Sequence, residues 1–239
     1  MQIKGKTDIG LKRHSNQDAF FIDTLEDGAG LAIVCDGMGG ANAGNVASET
    51  ACRIISEYVL QSYRRDMDSF DIEKLLKNAI ESANIQVYDM SLKNEALSGM
   101  GTTVVATIVK ENTAVIAHVG DSRAYLAGSE LKQLTRDHSI VQTLIESGKI
   151  TPEDAKVHPR KNVITRALGT EENVSVDCNE INVKSGEILM LCTDGLTGYA
   201  DEKEIFSLLS ADAQPEALID LAKAGGGGDN ITVVTITDM

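Results

Sequence analysis

Three aspartates in this sequence stand where an apolar stretch meets a turn, at Asp36-Gly37, Asp194-Gly195 and Asp229-Asn230, and Asp18 and Asp121 occupy similar settings. A carboxylate at a strand end is rigidly placed yet reachable by solvent, which is what a metal ligand needs. Each Asp-Gly or Asp-Asn pair taken alone is an ordinary turn dipeptide. Their joint appearance with Asp18 and Asp121 is what points to one shared site. All five are oxygen donors, and none of the four cysteines or four histidines shares these glycine-flanked settings. Hard divalent cations, Mg²⁺ or Mn²⁺, suit such a shell better than zinc, which prefers nitrogen and sulfur. Calcium is disfavoured because no D-x-D-x-D-G loop is present. Two ions about 3.5 to 4 Å apart, bridged by one carboxylate, lower the pKa of a shared water toward ~7 and so supply hydroxide at neutral pH. A phosphate ester is the substrate that gains most, because the cations also offset charge on the phosphoryl oxygens. Arg13, five residues before Asp18, can add a bidentate fork to the same oxygens or remain a solvated surface side chain.

The elements that position these residues are legible as periodicity. Leu31-Ala32-Ile33-Val34-Cys35 is a continuous apolar run that delivers Asp36 into Gly37-Met38-Gly39-Gly40, and Ile188-Leu189-Met190-Leu191-Cys192 leads to Asp194 one residue later. Asp229 reverses the order: it closes a Gly225-Gly226-Gly227-Gly228 turn before the strand-like Ile231 to Ile236. That glycine run lacks the following Lys-Ser or Lys-Thr of a nucleotide phosphate loop. Asp18 to Ile22 and Leu31 to Cys35 read as neighbouring strands joined by a turn at Glu26-Asp27-Gly28. The period then changes. Ala47, Thr50, Ala51, Ile54, Ile55, Tyr58 and Val59 recur at helical spacing, as do Ile72, Leu75, Leu76, Ala79, Ile80, Ala83 and Val87. Thr102 to Val109, Thr113 to Val119 and Ser122 to Leu126 read as three successive strands, and short turns between strands imply antiparallel pairing. Ser139 to Leu168 is irregular and more basic. Strands return at Val174 to Val183 and Glu187 to Cys192, then helices at Glu202 to Leu209 and Pro215 to Lys223, then a last strand ending near Thr237. This is not βαβ alternation, so antiparallel sheets with helices packed outside are expected.

Composition bounds the remaining possibilities. The chain of 239 residues carries no Pro-rich, Ser-rich or charge-block linker, which reads as one domain. With 42% hydrophobic but only 4% aromatic residues, the core must be built from Val, Ile, Leu, Ala and Met. A net charge of −14 argues against nucleic acid and anionic membrane as partners. The longest apolar runs are too short to cross a bilayer, and Met1 to Lys6 lacks the apolar core of a signal peptide, so a cytoplasmic protein is expected. Cys35, Cys52, Cys178 and Cys192 form no C-x-x-C pair and lie in apolar patterns, as reduced, buried thiols would.

Six ordered motifs carry a family resemblance. Gly10-Leu11-Lys12-Arg13-His14-Ser15-Asn16-Gln17-Asp18, Asp36-Gly37-Met38-Gly39-Gly40, Gly99-Met100-Gly101-Thr102-Thr103, Val119-Gly120-Asp121-Ser122-Arg123, Leu191-Cys192-Thr193-Asp194-Gly195 and Gly228-Asp229-Asn230-Ile231-Thr232-Val233-Val234 span nearly the whole chain. In this order the chain resembles the PP2C (PPM) family of metal-dependent serine/threonine protein phosphatases, bacterial branch. The resemblance implies an α+β fold, an α-β-β-α sandwich of two mainly antiparallel sheets flanked by helices. It implies Mn²⁺ or Mg²⁺, two ions in a core site and a third beside them. Carried over by position, Asp36 bridges both core ions, Gly37 binds one through its carbonyl oxygen, Asp194 and Asp229 complete the first, and Asp18 orients metal-bound water. Asp121 with Asp194 is the implied pair for the third ion, and Arg13 holds the substrate phosphate.

The implied reaction is hydrolysis of phosphoserine or phosphothreonine on proteins by a metal-bridging hydroxide, with no phosphoenzyme. The implied counterpart is a bacterial Ser/Thr kinase together with that kinase's substrates, and a monomer is expected. Met38 stands where animal relatives carry a histidine proposed as general acid, and Ala41 where some bacterial relatives carry one. Metal-bound water is therefore the expected proton source, with His14 read as an exposed, idle histidine. Residues 144–168 occupy the place of the family's flap beside the active site, and their basic residues read either as a contact for acidic sequence near a phosphosite or, the reading preferred, as a solvated face. His118 and His138 receive no role. Two other readings are a phosphoprotein-binding module without turnover, which retention of all the ligand aspartates opposes, and a phosphatase for phosphorylated antagonists of anti-sigma factors, whose usual sensor domains have no counterpart in this sequence.

Overall fold

The computed structural model describes residues 1–39, 43–211 and 214–239. Ala41 and Gly40 lie outside the described residues. Among the described residues eleven strands form two sheets, and each of their pairings is antiparallel. One sheet contains β2 (Asp18–Thr24), β3 (Gly30–Met38), β5 (Val104–Lys110), β6 (Thr113–Val119) and β9 (Asp177–Asn182) in that order, with the short β4 (Gly101–Thr102) added to the end of β3. The other runs β1 (Gln2–Asp8), β11 (Ile231–Thr237), β10 (Ile188–Cys192), β7 (Arg123–Ala127), β8 (Leu131–Gln133).

The unbroken apolar runs are explained by burial on both faces. Along β3, Leu31, Ile33 and Cys35 face one core, which they share with Ile55, Val59, Leu76 and Ile80 from two long helices, α1 (Ala43–Ser62) and α2 (Ser69–Lys93). Ala32 and Val34 face the other way, into a core shared with Leu189, Leu191, Val234 and Ile236 of the opposite sheet. The second sheet repeats the pattern. Its outer residues Met190, Cys192, Ile231 and Val233 are covered by Ile205 and Leu209 of α6 (Glu202–Ala211) and by Leu218, Ile219 and Ala222 of α7 (Pro215–Ala224). The result is four layers, helices, sheet, sheet, helices, as the resemblance implies. Asp68 caps α2 by accepting from the Asp71 N–H at 2.9 Å.

Several local readings are corrected. β1 went unread because Ile3 is the only large apolar residue within its Gln2–Asp8 span, an edge strand needing only one covered face. The region read as irregular holds two short helices, α3 (Ile140–Glu146) and α4 (Pro152–Lys156), the latter opened by a Thr151/Asp154 capping box. Asp194 opens a one-turn helix, α5 (Asp194–Thr197), rather than a plain turn. Cys35, Cys52 and Cys192 are buried thiols, but Cys178 is only partly covered. Most consequentially, β7 does not pair with β6. The chain leaves one sheet at Val119 and enters the other at Arg123.

That crossing places the site. Residues 9–17 cross from β1 to β2 between sheets, and residues 120–122 cross from β6 to β7. Arg13 and Asp121 therefore sit at the seam of the sandwich. Among the described residues, no helix is long and apolar enough to cross a membrane.

Candidate metal centre

Asp18 opens β2 and is the direct cross-strand partner of Asp36 near the end of β3. Asp194 follows β10 at the start of α5, and Asp229 precedes β11, the strand paired with β10. Four strand ends from two sheets thus bring their carboxylates together, and Asp121 joins them from the β6–β7 crossing. One cleft is lined by Asp36, Gly37, Asp121, Asp194, Asp229 and Arg13, with Gln17, Met38, Thr103, Asn162 and Ile164 among its other walls. Asp18 lies behind this lining, buried.

Asp18 shows what the arrangement lacks. Its Oδ2 accepts from the hydroxyls of Thr232 at 2.7 Å and Thr193 at 3.0 Å, yet its Oδ1 is buried with no hydrogen-bond partner. A buried carboxylate oxygen without a donor is costly. Burial, opposed by the two threonine hydroxyls and reinforced by Asp194 and Asp229, pushes the Asp18 carboxyl up to about 7. Burial and Asp194 likewise push Asp121 up to about 7, and burial with Asp229 raises Asp194 to about 6. Asp36 is held well above the ordinary carboxylate range by burial and by Asp18, Asp194, Asp121 and Asp229. Like charges this close cannot all ionise without a counterion. The Arg13 guanidinium on the rim, 2.6 Å from Asp229 Oδ2, is the one basic side chain lining the cleft among the described residues. One monovalent cation cannot balance this many carboxylates. Crowded oxygen donors, an orphaned carboxylate oxygen and unbalanced negative charge fit hard divalent cations.

The supporting shell is built by residues to which sequence reasoning gave no role. Thr193 and Thr232 hold Asp18, and the Thr232 N–H donates to Thr193 Oγ1 at 3.0 Å. The Asp36 N–H donates to Thr103 Oγ1 at 3.0 Å, which in turn shares a 2.7 Å hydrogen bond with Ser122 Oγ. Asn230 ties the Arg13 loop down: its Nδ2 donates to the carbonyls of Ile9 and Ser15 at 3.0 Å, and its Oδ1 accepts from the Gln17 N–H at 2.9 Å. Thr193, Thr232, Asn230 and Ser122 lie in the aspartate motifs and Thr103 closes the Gly99 to Thr103 motif, which marks these positions but not the contacts they make. Gly37 is required for a close approach: a Cβ there would sit 2.1 Å from the Gly44 carbonyl oxygen and 2.6 Å from that of Gln17. The first turn of α1 can pack against the Asp36 loop only for this reason.

Other side chains fall away from the site. His14 is exposed and absent from the cleft wall, and Met38 lines it with no titratable group. Arg123, of the Asp121 motif, is committed to Asp137 through Nε at 2.9 Å and Nη2 at 2.7 Å. His118 and His138, given no role from sequence, stack at 4.8 Å beside Asp177 in a separate cluster.

Two facing antiparallel sheets with a carboxylate cleft at their common end fit an enzyme that works with divalent metal ions. Comparison with known proteins makes the class specific. The family model for protein phosphatase 2C matches residues 12–217. The serine/threonine phosphatase stp of Listeria welshimeri is 40% identical over 241 residues, covering 99% of this chain and 95% of that protein. The crystal structure of the serine/threonine phosphatase Stp1 from Staphylococcus aureus superposes with a TM-score of 0.91 at 36% identity, over 98% of this chain and 93% of that one. The catalytic domain of the serine/threonine protein phosphatase PstP, solved with two manganese ions, superposes with a TM-score of 0.84 at 31% identity, over 98% and 96%. The chain belongs to the bacterial branch of the protein phosphatase 2C family and is a metal-dependent protein serine/threonine phosphatase.

Proposed function

We propose that the cleft is the catalytic centre of a single phosphatase domain spanning residues 1–239, acting on phosphoserine and phosphothreonine in proteins. In this reading Asp36 and the Gly37 carbonyl serve two core cations, Asp194 and Asp229 complete the shell of the first, and Asp121 with Asp194 takes a third. Either Mn²⁺ or Mg²⁺ fits this donor set. When bound, the cations supply an ionised water as nucleophile and neutralise charge on the phosphoryl oxygens. The chain's own residues do the rest. Asp18 accepts a hydrogen bond from the water and orients it, its position fixed by Thr193 and Thr232. Arg13 donates a fork to the phosphoryl oxygens and is aimed at them by its contact with Asp229. No imidazole or thiol lines the cleft among the described residues, so protonation of the leaving serine or threonine oxygen falls to water in the site. Residues 144–168 form a flap subdomain that contributes Asn162 and Ile164 to the cleft wall.

The observation that carries this reading is the convergence of the buried Asp18, Asp36, Asp121 and Asp194 carboxyls, raised by burial and by neighbouring carboxylates, on a cleft whose one basic wall residue among the described residues is Arg13. The physiological counterpart is a bacterial Ser/Thr kinase and the proteins it phosphorylates, met in the cytoplasm by a monomeric enzyme. The test is hydrolysis of p-nitrophenyl phosphate and of a phosphothreonine peptide with Mn²⁺, with Mg²⁺ and with chelator. Turnover only with metal supports the reading. Full turnover in chelator would overturn it, and metal binding without turnover would favour the binding-module alternative.

A further inference from the structure

His138 makes no hydrogen bond to the cleft aspartates or to Arg13. It follows β8, it is buried, and its ring stacks on His118 of β6 with centroids 4.8 Å apart and planes 18° from parallel. With Asp177, the cross-strand partner of His118, these rings bring ligand atoms within 4.8 Å of one another. The grouping suggests a second cation site, but the hydrogen bonds of His138 and Asp177 oppose it, although His118 Nδ1 is left without a partner. The Gly120 N–H donates to His138 Nδ1 at 3.0 Å. A backbone N–H is always a donor, so Nδ1 must accept and the proton of the neutral ring sits on Nε2. Nε2 faces Asp177 Oδ2 at 3.3 Å. Arg166 Nη1 lies 2.6 Å from Asp177 Oδ1 and 3.1 Å from Nε2, so a guanidinium already supplies the positive charge. A metal at Nε2 would force the ring proton to Nδ1, against the Gly120 N–H.

The same hydrogen bonds point elsewhere. The His138 N–H also donates to the Gly120 carbonyl at 2.9 Å, so both polar groups of Gly120 end on this one residue. Gly120 has φ of +105°, and a Cβ there would lie 2.6 Å from the Thr103 side chain. The crossing between the sheets therefore has one allowed shape, and the residue that follows is Asp121. On the far side Ser122 is tied to Thr103, which holds the Asp36 N–H. Burial and Arg166 lower the His138 pKa, which favours the neutral ring whose Nδ1 can accept.

We propose that His138 is a positioning residue: its imidazole fixes the Gly120 peptide and thereby aims the Asp121 carboxylate into the cleft. This rests on the reading of Asp121 as a metal ligand. Partners that orient a ligand in this way are worth about 10- to 100-fold in metal affinity when removed.

The test compares His138→Asn, His138→Gln and His138→Leu with Asp121→Asn. Asparagine places an acceptor near the Nδ1 position, whereas glutamine places it near Nε2 and leucine offers none. The readouts are the Mn²⁺ concentration for half-maximal hydrolysis of p-nitrophenyl phosphate and the exchange rate of the Gly120 amide by NMR. His138→Leu and His138→Gln are expected to need about tenfold more Mn²⁺ and to expose the Gly120 amide, while His138→Asn stays close to the unmodified enzyme in both. If leucine fails to fold, the asparagine and glutamine pair carries the comparison. Equal Mn²⁺ demand in the asparagine and glutamine variants would overturn the proposal. If Asp121→Asn raises Mn²⁺ demand but removal of the imidazole does not, the role of His138 alone fails. If Asp121→Asn leaves Mn²⁺ demand unchanged, the ligand reading fails and this inference with it.

Discussion

Among the described residues two clusters of metal-ligand residue types stand out, and they differ in whether the protein's own groups balance their charge. The His118, His138 and Asp177 ligand atoms all lie within 4.8 Å of one another, the only such group among the described residues. Yet its charges are balanced, with Arg166 bonded to Asp177 and Gly120 to His138, and what is left over is one uncharged ring nitrogen, the buried His118 Nδ1. The aspartate cleft is more widely spread, as a shell for several cations and their waters would be, and it is unsettled: the buried Asp18 Oδ1 has no partner, and burial reinforced by neighbouring carboxylates raises the Asp18, Asp36 and Asp194 carboxyls. Proximity of ligand types is a poor guide. What distinguishes a metal site is negative charge left unbalanced once the protein's own groups have been counted.

The largest effect that could break this contrast is loss of catalysis. Asp36→Asn and Asp229→Asn are expected to lower kcat/KM for p-nitrophenyl phosphate by about 1,000-fold or more, about 4 kcal/mol of transition-state stabilisation. Steady-state rates in saturating Mn²⁺ close to the unmodified enzyme would dissolve the distinction.

Arg13→Ala should come next, with kcat/KM reduced about 10- to 100-fold and the loss appearing mainly in KM. An unchanged KM would remove Arg13 from the phosphate.

The two clusters should also give opposite pH slopes of stability in chelator. Asp18 and Asp194 titrate near about 7 and about 6 in the folded protein, against an ordinary value of 3.8. Between those values the native state binds more protons than the unfolded chain, so this contribution to stability is lost as pH rises from about 4 to about 7. His118 is pushed down to about 4 by burial and by His138, from an ordinary 6.5. There the unfolded chain binds more protons, so its contribution grows as pH rises across the same window. Urea unfolding from pH 4.5 to 7.5 should show Asp18→Asn removing a falling component and His118→Gln a rising one. Slopes of the same sign would contradict the contrast, and saturating Mn²⁺ should abolish the aspartate component.

The smallest expected effect is on metal count. His118→Gln should leave the number of Mn²⁺ ions bound per chain unchanged, by equilibrium dialysis. Loss of one ion would make the histidine cluster a ligand site after all.

How much of this could be read from the sequence depends on how local each determinant is. β3 and β10 were legible because strands buried on both faces become unbroken apolar runs, and their aspartates because they interrupt those runs. α1 and α2 were legible from long helical periodicity. β1 was not, since an edge strand facing solvent needs few apolar residues. Nor was the switch of β7 to the other sheet, because nothing in Val119 to Arg123 reveals which strand Arg123 will pair with. The grip of Thr193 and Thr232 on Asp18, and the pairing of His118 with Asp177, depend on register between segments far apart in the chain. Those contacts were out of reach of local pattern.

The most direct test is a crystal soaked in MnCl₂ and measured at the manganese absorption edge. Anomalous peaks within ligand distance of Asp36, Asp194 and Asp229, and none beside His138, are predicted. An empty cleft, or a peak at His118, His138 and Asp177 instead, would contradict the account.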